Sequence, residues 1–66
     1  MSKLIIDAAK DKIFFMIINN DYEYNINHEN TKINYEKLEK LIDDFLRSEN
    51  LNLKKISKIY VNRGPG

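Results

Sequence analysis

Apolar positions fall into four short runs and one longer periodic stretch, and each has the spacing of a recognisable element. Leu4-Ile5-Ile6 is wholly apolar and ends at Asp7, the pattern of a strand covered on both faces. After the polar stretch Asp7 to Lys12, Ile13-Phe14-Phe15-Met16-Ile17-Ile18 predicts a second strand, rich in β-branched and aromatic residues. Asn19-Asn20-Asp21 supplies residues that tolerate positive φ, which a tight hairpin favours. The next run alternates, with Tyr22, Tyr24 and Ile26 on one face and Glu23, Asn25 and Asn27 on the other. That period of two predicts a half-buried strand near a sheet edge.

The period then changes. Tyr35, Leu38, Leu41, Ile42, Phe45 and Leu46 cover an arc of roughly 140° at helical spacing. Glu36, Lys37, Lys40, Asp43, Asp44 and Arg47 fill the opposite side. The pattern predicts one helix from Tyr35 to about Glu49, with Asn34 as N-cap and Asn50 in the left-handed position after its end. Leu51 to Lys55 reads as a helical turn or loop with Leu51 and Leu53 packing inward, and Ile56 to Val61 as a fourth strand. The order β-β-β-α-β predicts an α/β fold with a mixed sheet, one main helix and a right-handed helical crossover into the last strand. A single amphipathic helix covers one sheet face, so apolar side chains on the other face are left without a cover.

Composition narrows the chemistry. Sixty-six residues make one small domain or part of one, and a chain of this size buries only roughly 60% of its unfolded surface. There is no Cys, which excludes a disulfide framework, a thiolate nucleophile and a Cys-ligated zinc site, and the lone His28 builds no metal site by itself. A cytoplasmic setting fits this usage. The net charge of +1, with acids and bases interspersed, gives no electrostatic reason for direct nucleic-acid binding. Lys54, Lys55 and Lys58 form a small cluster of the kind that ordinarily makes a solvated face, without the basic groove that base stacking on Tyr22, Tyr24 and Tyr60 requires. The apolar run Ile13 to Ile18 is far shorter than the roughly 20 residues that span a bilayer, and Leu4 to Ile6 is too short for a signal peptide. Ser2, Ser48 and Ser57 have no neighbouring His in the sequence, so no hydrolytic nucleophile is apparent.

Two punctuation marks frame the strands: Asp7 at the end of the first, and Arg63-Gly64-Pro65-Gly66 after the fourth. A strand running into Gly-Pro-Gly ordinarily leads into another element, which makes residues 1–66 read as the truncated N-terminal lobe of a larger domain. With these marks and the order between them, the chain resembles the TsaB (YeaZ) family of the actin-like, sugar-kinase-like ATPase superfamily, which has a ribonuclease-H-like fold. Leu4-Ile5-Ile6-Asp7 is similar to the family's opening strand. Leu41-Ile42-Asp43-Asp44-Phe45-Leu46 is similar to its Met-Ile-Asp-Glu-Leu-Leu helix pattern, and Leu51-Asn52-Leu53 to its Leu-Ser-Leu. Val61-Asn62-Arg63-Gly64-Pro65-Gly66 resembles the approach to its Gly-Pro-Gly loop. Ala8-Ala9-Lys10 departs from the Thr-Ser-Thr that follows the family's Asp, and Asn34-Tyr35 from a frequent His-Ser.

The resemblance implies an incomplete ribonuclease-H-like lobe and a non-catalytic, activating role in threonylcarbamoyladenosine synthesis on tRNA. Its implied partners are a TsaD-like catalytic homologue and a TsaE-like ATPase, with homodimerisation as a further contact. No cofactor and no catalytic residue is expected in this chain. The superfamily's strand-end carboxylate handles Mg²⁺ and ATP phosphates. That makes Asp7, with Lys10 as a point charge, the candidate phosphate contact, against a structural Asp that caps a turn. Arg63, Gly64, Pro65 and Gly66 are the loop motif, though they lack the spaced Gly-Lys-Ser/Thr of a phosphate loop. On the helix, Leu38, Ile42 and Phe45 read as core, while Tyr35 and Leu46 on the flank, beside Glu39 and Asp43, are the candidate interface. The competing expectations are a fragment of an ATP-handling kinase-like or actin-like enzyme and a small autonomous interaction domain.

Overall fold

Alternation inside the apolar runs, rather than their total hydrophobicity, sets how the sheet is used. The computed structural model describes residues 2–8 and 11–62. Strands β1 (Ser2–Ala8), β2 (Lys12–Ile18) and β3 (Glu23–Glu29) are followed by helices α1 (Lys32–Glu36) and α2 (Leu38–Ser48), a 3₁₀ turn over Leu53–Lys55, and strand β4 (Ile56–Asn62). The result is an α/β domain with a four-stranded mixed sheet in the order β3-β2-β1-β4. β1 pairs antiparallel with β2 and parallel with β4, and β3 pairs antiparallel with β2 at one edge. The alternating run thus occupies an edge, as its pattern predicts.

Register lines up two faces. On one, Tyr24, Ile17, Leu4 and Ile59 form a row across the sheet, and Ile26, Phe15, Ile6 and Val61 form the next. Leu4, Ile6, Ile13, Phe15 and Ile17 of this face are buried together with Phe45 and Leu46 of α2, and Leu38, Leu41, Ile42 and Leu51 pack around them. On the other face stand Ile5, Phe14, Met16 and Ile18, all only half-buried. The expectation that the first strand is covered on both faces is therefore corrected: α2 lies over one face only, and no described element lies over the other.

The single predicted helix is two. Thr31, not Asn34, is the N-cap, its Oγ1 accepting from the Asn34 backbone N–H at 3.1 Å. Asn34 instead donates its side-chain Nδ2–H to the Glu29 carbonyl at 2.9 Å and ties α1 to the end of β3. A break at Lys37 (φ −96°, ψ 14°) separates the short first helix from α2. The strand order of the prediction survives, but the crossover contains this extra turn. The far end of α2 matches the expectation closely. Asn50 has φ 57°, its N–H donates to the Arg47 carbonyl at 3.0 Å, and the Leu51 N–H donates to the Leu46 carbonyl at 2.8 Å. That pair of bonds is a Schellman motif, and the accompanying apolar contact is made by Leu51, packed against the core.

The β2–β3 connection closes without left-handed residues. Asn19 N–H donates to the Tyr22 carbonyl at 2.9 Å, and among the described non-glycine residues only Asn50 has positive φ. A four-residue connection has enough length to turn with ordinary φ values, so the hairpin does not need the residue types that Asn19-Asn20-Asp21 offers.

Candidate functional site

Where α2 sits on the sheet decides which surface is left open. The Phe45 ring lies 5.6 Å from Phe15 and is stacked on Tyr24 at 5.5 Å, with an interplanar angle of 12°. These contacts hold the helix toward β2 and β3. β4, on the far side of β1, receives little cover: Ile59 is 49% exposed and Val61 60% exposed, although both belong to the helix-side face. Between α2 and β4 a groove of about 430 Å³ opens over β1. Leu4, Ile6 and Leu46 line it from the core, Ile42, Leu53 and Ile59 complete its aliphatic wall, and Glu39 and Asp43 set carboxylates along its α2 side.

Local structure fixes each wall. The Schellman turn at Asn50 reverses the chain after α2, and the Asn52 side chain accepts from the Lys54 N–H at 3.0 Å, which caps the 3₁₀ turn carrying Leu53. Ser57 Oγ donates to the Ser2 carbonyl at 2.9 Å beside the register shift between Ser2 and Lys3, anchoring the start of β4 on β1. Asp43 is shared with Arg47 at 3.5 Å, whereas Glu39 makes no ion pair among the described residues. An aliphatic trough with carboxylates along one side suits apolar side chains from another protein, with a cationic group at the rim.

Three of the four predicted interface residues, Glu39, Asp43 and Leu46, meet at this groove. Leu46 is 1% exposed and belongs to the core rather than to a free flank. Tyr35 stands on α1, 51% exposed, beside the depression that runs from Tyr35 to Lys40 at the junction of the helices. Asp7 is half-buried near the end of β1, in register with Phe14 and Asn62, and lies on the sheet face away from α2. Lys10, Arg63, Gly64, Pro65 and Gly66 lie outside the described residues.

The tyrosines do not form one platform. Tyr24 belongs to the helix-side face and Tyr60, in register with Ile5, to the opposite one. Among the described residues no group of three or more His, Cys, Asp or Glu side chains is arranged to hold a metal ion. No helix among them is long and apolar enough to cross a membrane. Leu53, expected to pack inward like Leu51, is 57% exposed at the groove, and Ile59 was not predicted as part of the site. Their exposure follows from the lateral placement of α2, which no local pattern encodes; the available hint was alternation in β4, where Ile59 and Val61 share one face. Compared with known proteins, the chain matches no protein-family model and no curated protein.

Proposed function

We propose that this chain is a binding scaffold that acts by protein–protein contact, in the manner of a TsaB-like activating subunit of tRNA threonylcarbamoyladenosine synthesis with a ribonuclease-H-like lobe. The groove between α2 and β4 carries the reading: an aliphatic trough of about 430 Å³ with carboxylates beside it is a receptor for another protein's apolar side chains. The strand order β3-β2-β1-β4, with β1 and β4 parallel across a helical crossover, supports the ribonuclease-H-like assignment. The opening Leu4-Ile5-Ile6-Asp7 and the Leu41 to Leu46 helix pattern support the TsaB-like one. In this mechanism the chain contributes no reacting group. Burial of the groove against a TsaD-like catalytic homologue holds that partner in its active arrangement.

The test is calorimetric titration of the chain with a TsaD-like protein, followed by threonylcarbamoyl transfer to tRNA with and without the chain. Saturable binding and a rise in transfer are expected. Ile59→Lys places a charge in the groove at an exposed position, so it should weaken binding at least about tenfold while the circular dichroism spectrum is kept. Absence of binding, or binding that ignores Ile59→Lys, rejects the assignment.

A further inference from the structure

Charge is unevenly divided between the two edges of the sheet. Lys3 and Lys58 are register partners on β1 and β4, so they stand side by side on the face opposite α2, on strands roughly 4.8 Å apart. Lys54 and Lys55 lie on the 3₁₀ turn that leads into β4, at the same end of the strand. All four are exposed, and none makes an ion pair among the described residues. The chain as a whole is only +1, so the rest of it is net acidic and the net value conceals a basic corner. Lys3 is the member that chain order hides, because only the pairing of β1 with β4 brings it to the other three. Tyr60 follows Lys58 by two residues on the same face, in register with Ile5, and is 49% exposed. The carboxylates of this face stand apart from the corner: Glu23 on the opposite edge strand, and Asp7 in the row beyond Tyr60.

We propose that this corner binds single-stranded nucleic acid, with phosphates on Lys3, Lys58 and the Lys54-Lys55 turn and one base stacked on Tyr60. Single strands are held by cations that track the backbone and by aromatic faces that take the bases. Lys58 and Tyr60, roughly 6.7 Å apart along the strand, supply one of each. A duplex keeps its bases in the stack and offers Tyr60 none. An anionic bilayer is the other broad polyanion, but it is a plane. It would meet the whole face at once and set its headgroups against Glu23 and Asp7 as well as the lysines. A single strand is narrow enough to follow the β4 edge and avoid both carboxylates. Ile5, Phe14 and Met16 are moreover half-buried in the sheet and do not form a protruding apolar wedge for acyl chains. A flexible acidic peptide brings charge without a base to stack. The corner meets phosphate and ring and reads no base edge, so the binding is weak and tolerant of sequence. This inference is independent of the groove, which lies on the other side of the sheet, and of any partner seated there.

Fluorescence anisotropy of labelled oligouridylate and oligothymidylate, each of about ten nucleotides, reads the binding and separates RNA from DNA. The full chain is titrated at salt concentrations from about 25 to 200 mM. Saturable binding of one or both is expected, with a dissociation constant of about 100 μM at the low-salt end. The log–log salt slope should be about −2 to −3, the value for three or four phosphates of a single strand. Lys58→Gln should weaken low-salt binding at least about fivefold and flatten the slope by about 0.7. Tyr60→Ala should weaken binding at least about fivefold with the slope unchanged, and Tyr60→Phe, which keeps the ring, should bind like the parent. Lys32→Gln removes the same charge from an exposed site on α1 and should change the affinity less than about twofold. Absence of binding at the lowest salt overturns the proposal. So does Lys32→Gln weakening binding as much as Lys58→Gln, or Tyr60→Ala leaving it intact. Cosedimentation with phosphatidylserine vesicles, where neither oligonucleotide binds, also overturns it and assigns the corner to a membrane. Retained circular dichroism in each variant separates these outcomes from unfolding.

Discussion

Asn50 is the residue on which the crossover turns. Its φ of 57° costs a side chain with a Cβ about 1 kcal/mol, less for Asn than for most others, and two backbone bonds of the Schellman motif depend on it. Asn50→Gly should therefore stabilise the domain by about 0.5 kcal/mol, and Asn50→Ala should destabilise it by about 1 kcal/mol. Urea unfolding followed by circular dichroism measures both, and equal midpoints would show that the left-handed geometry is not held in solution. Asn50 was legible because Asn directly after a periodic apolar stretch is itself a stop signal. The N-terminal cap was not. Thr31 and Asn34 are both good capping residues three positions apart, and only the hydrogen bond from Asn34 Nδ2 to the Glu29 carbonyl assigns their separate tasks.

At the level of elements, local pattern and tertiary placement part company. All four strands were readable to within two or three residues at each end, since β-branched and aromatic runs bounded by polar turns have few alternative fates. α2 was readable from its stripe, and its solvent side carries the spaced pairs Lys40–Asp44 at 3.2 Å and Asp43–Arg47 at 3.5 Å, each worth a few tenths of a kcal/mol. What the stripe does not encode is which strands the helix covers. Phe45 chooses β2 and β3 through Phe15 and Tyr24, and so exposes β4 and opens the groove. Leu46 and Ile59 both line that groove, yet their substitutions should diverge. Leu46→Asp buries a carboxylate in the core and should unfold the domain, whereas Ile59→Lys should lower the urea midpoint only slightly. If Leu46→Asp melts like the parent chain, α2 does not pack as described.

The whole molecule couples these features through its small core. Among the described residues seven hydrophobic side chains are buried, and they all lie between α2 and one face of the sheet. A domain with so little interior has a modest stability of its own. Adjacent residues of β2 should then respond very differently to substitution. Phe15 is wholly buried against Phe45 on the interior strand β2, so Phe15→Ala should cost about 3–5 kcal/mol. Met16 points to the half-buried opposite face, so Met16→Lys should cost less than half as much. Urea unfolding followed by circular dichroism compares the two variants. Equal losses would mean that the core does not lie on the α2 side of the sheet alone.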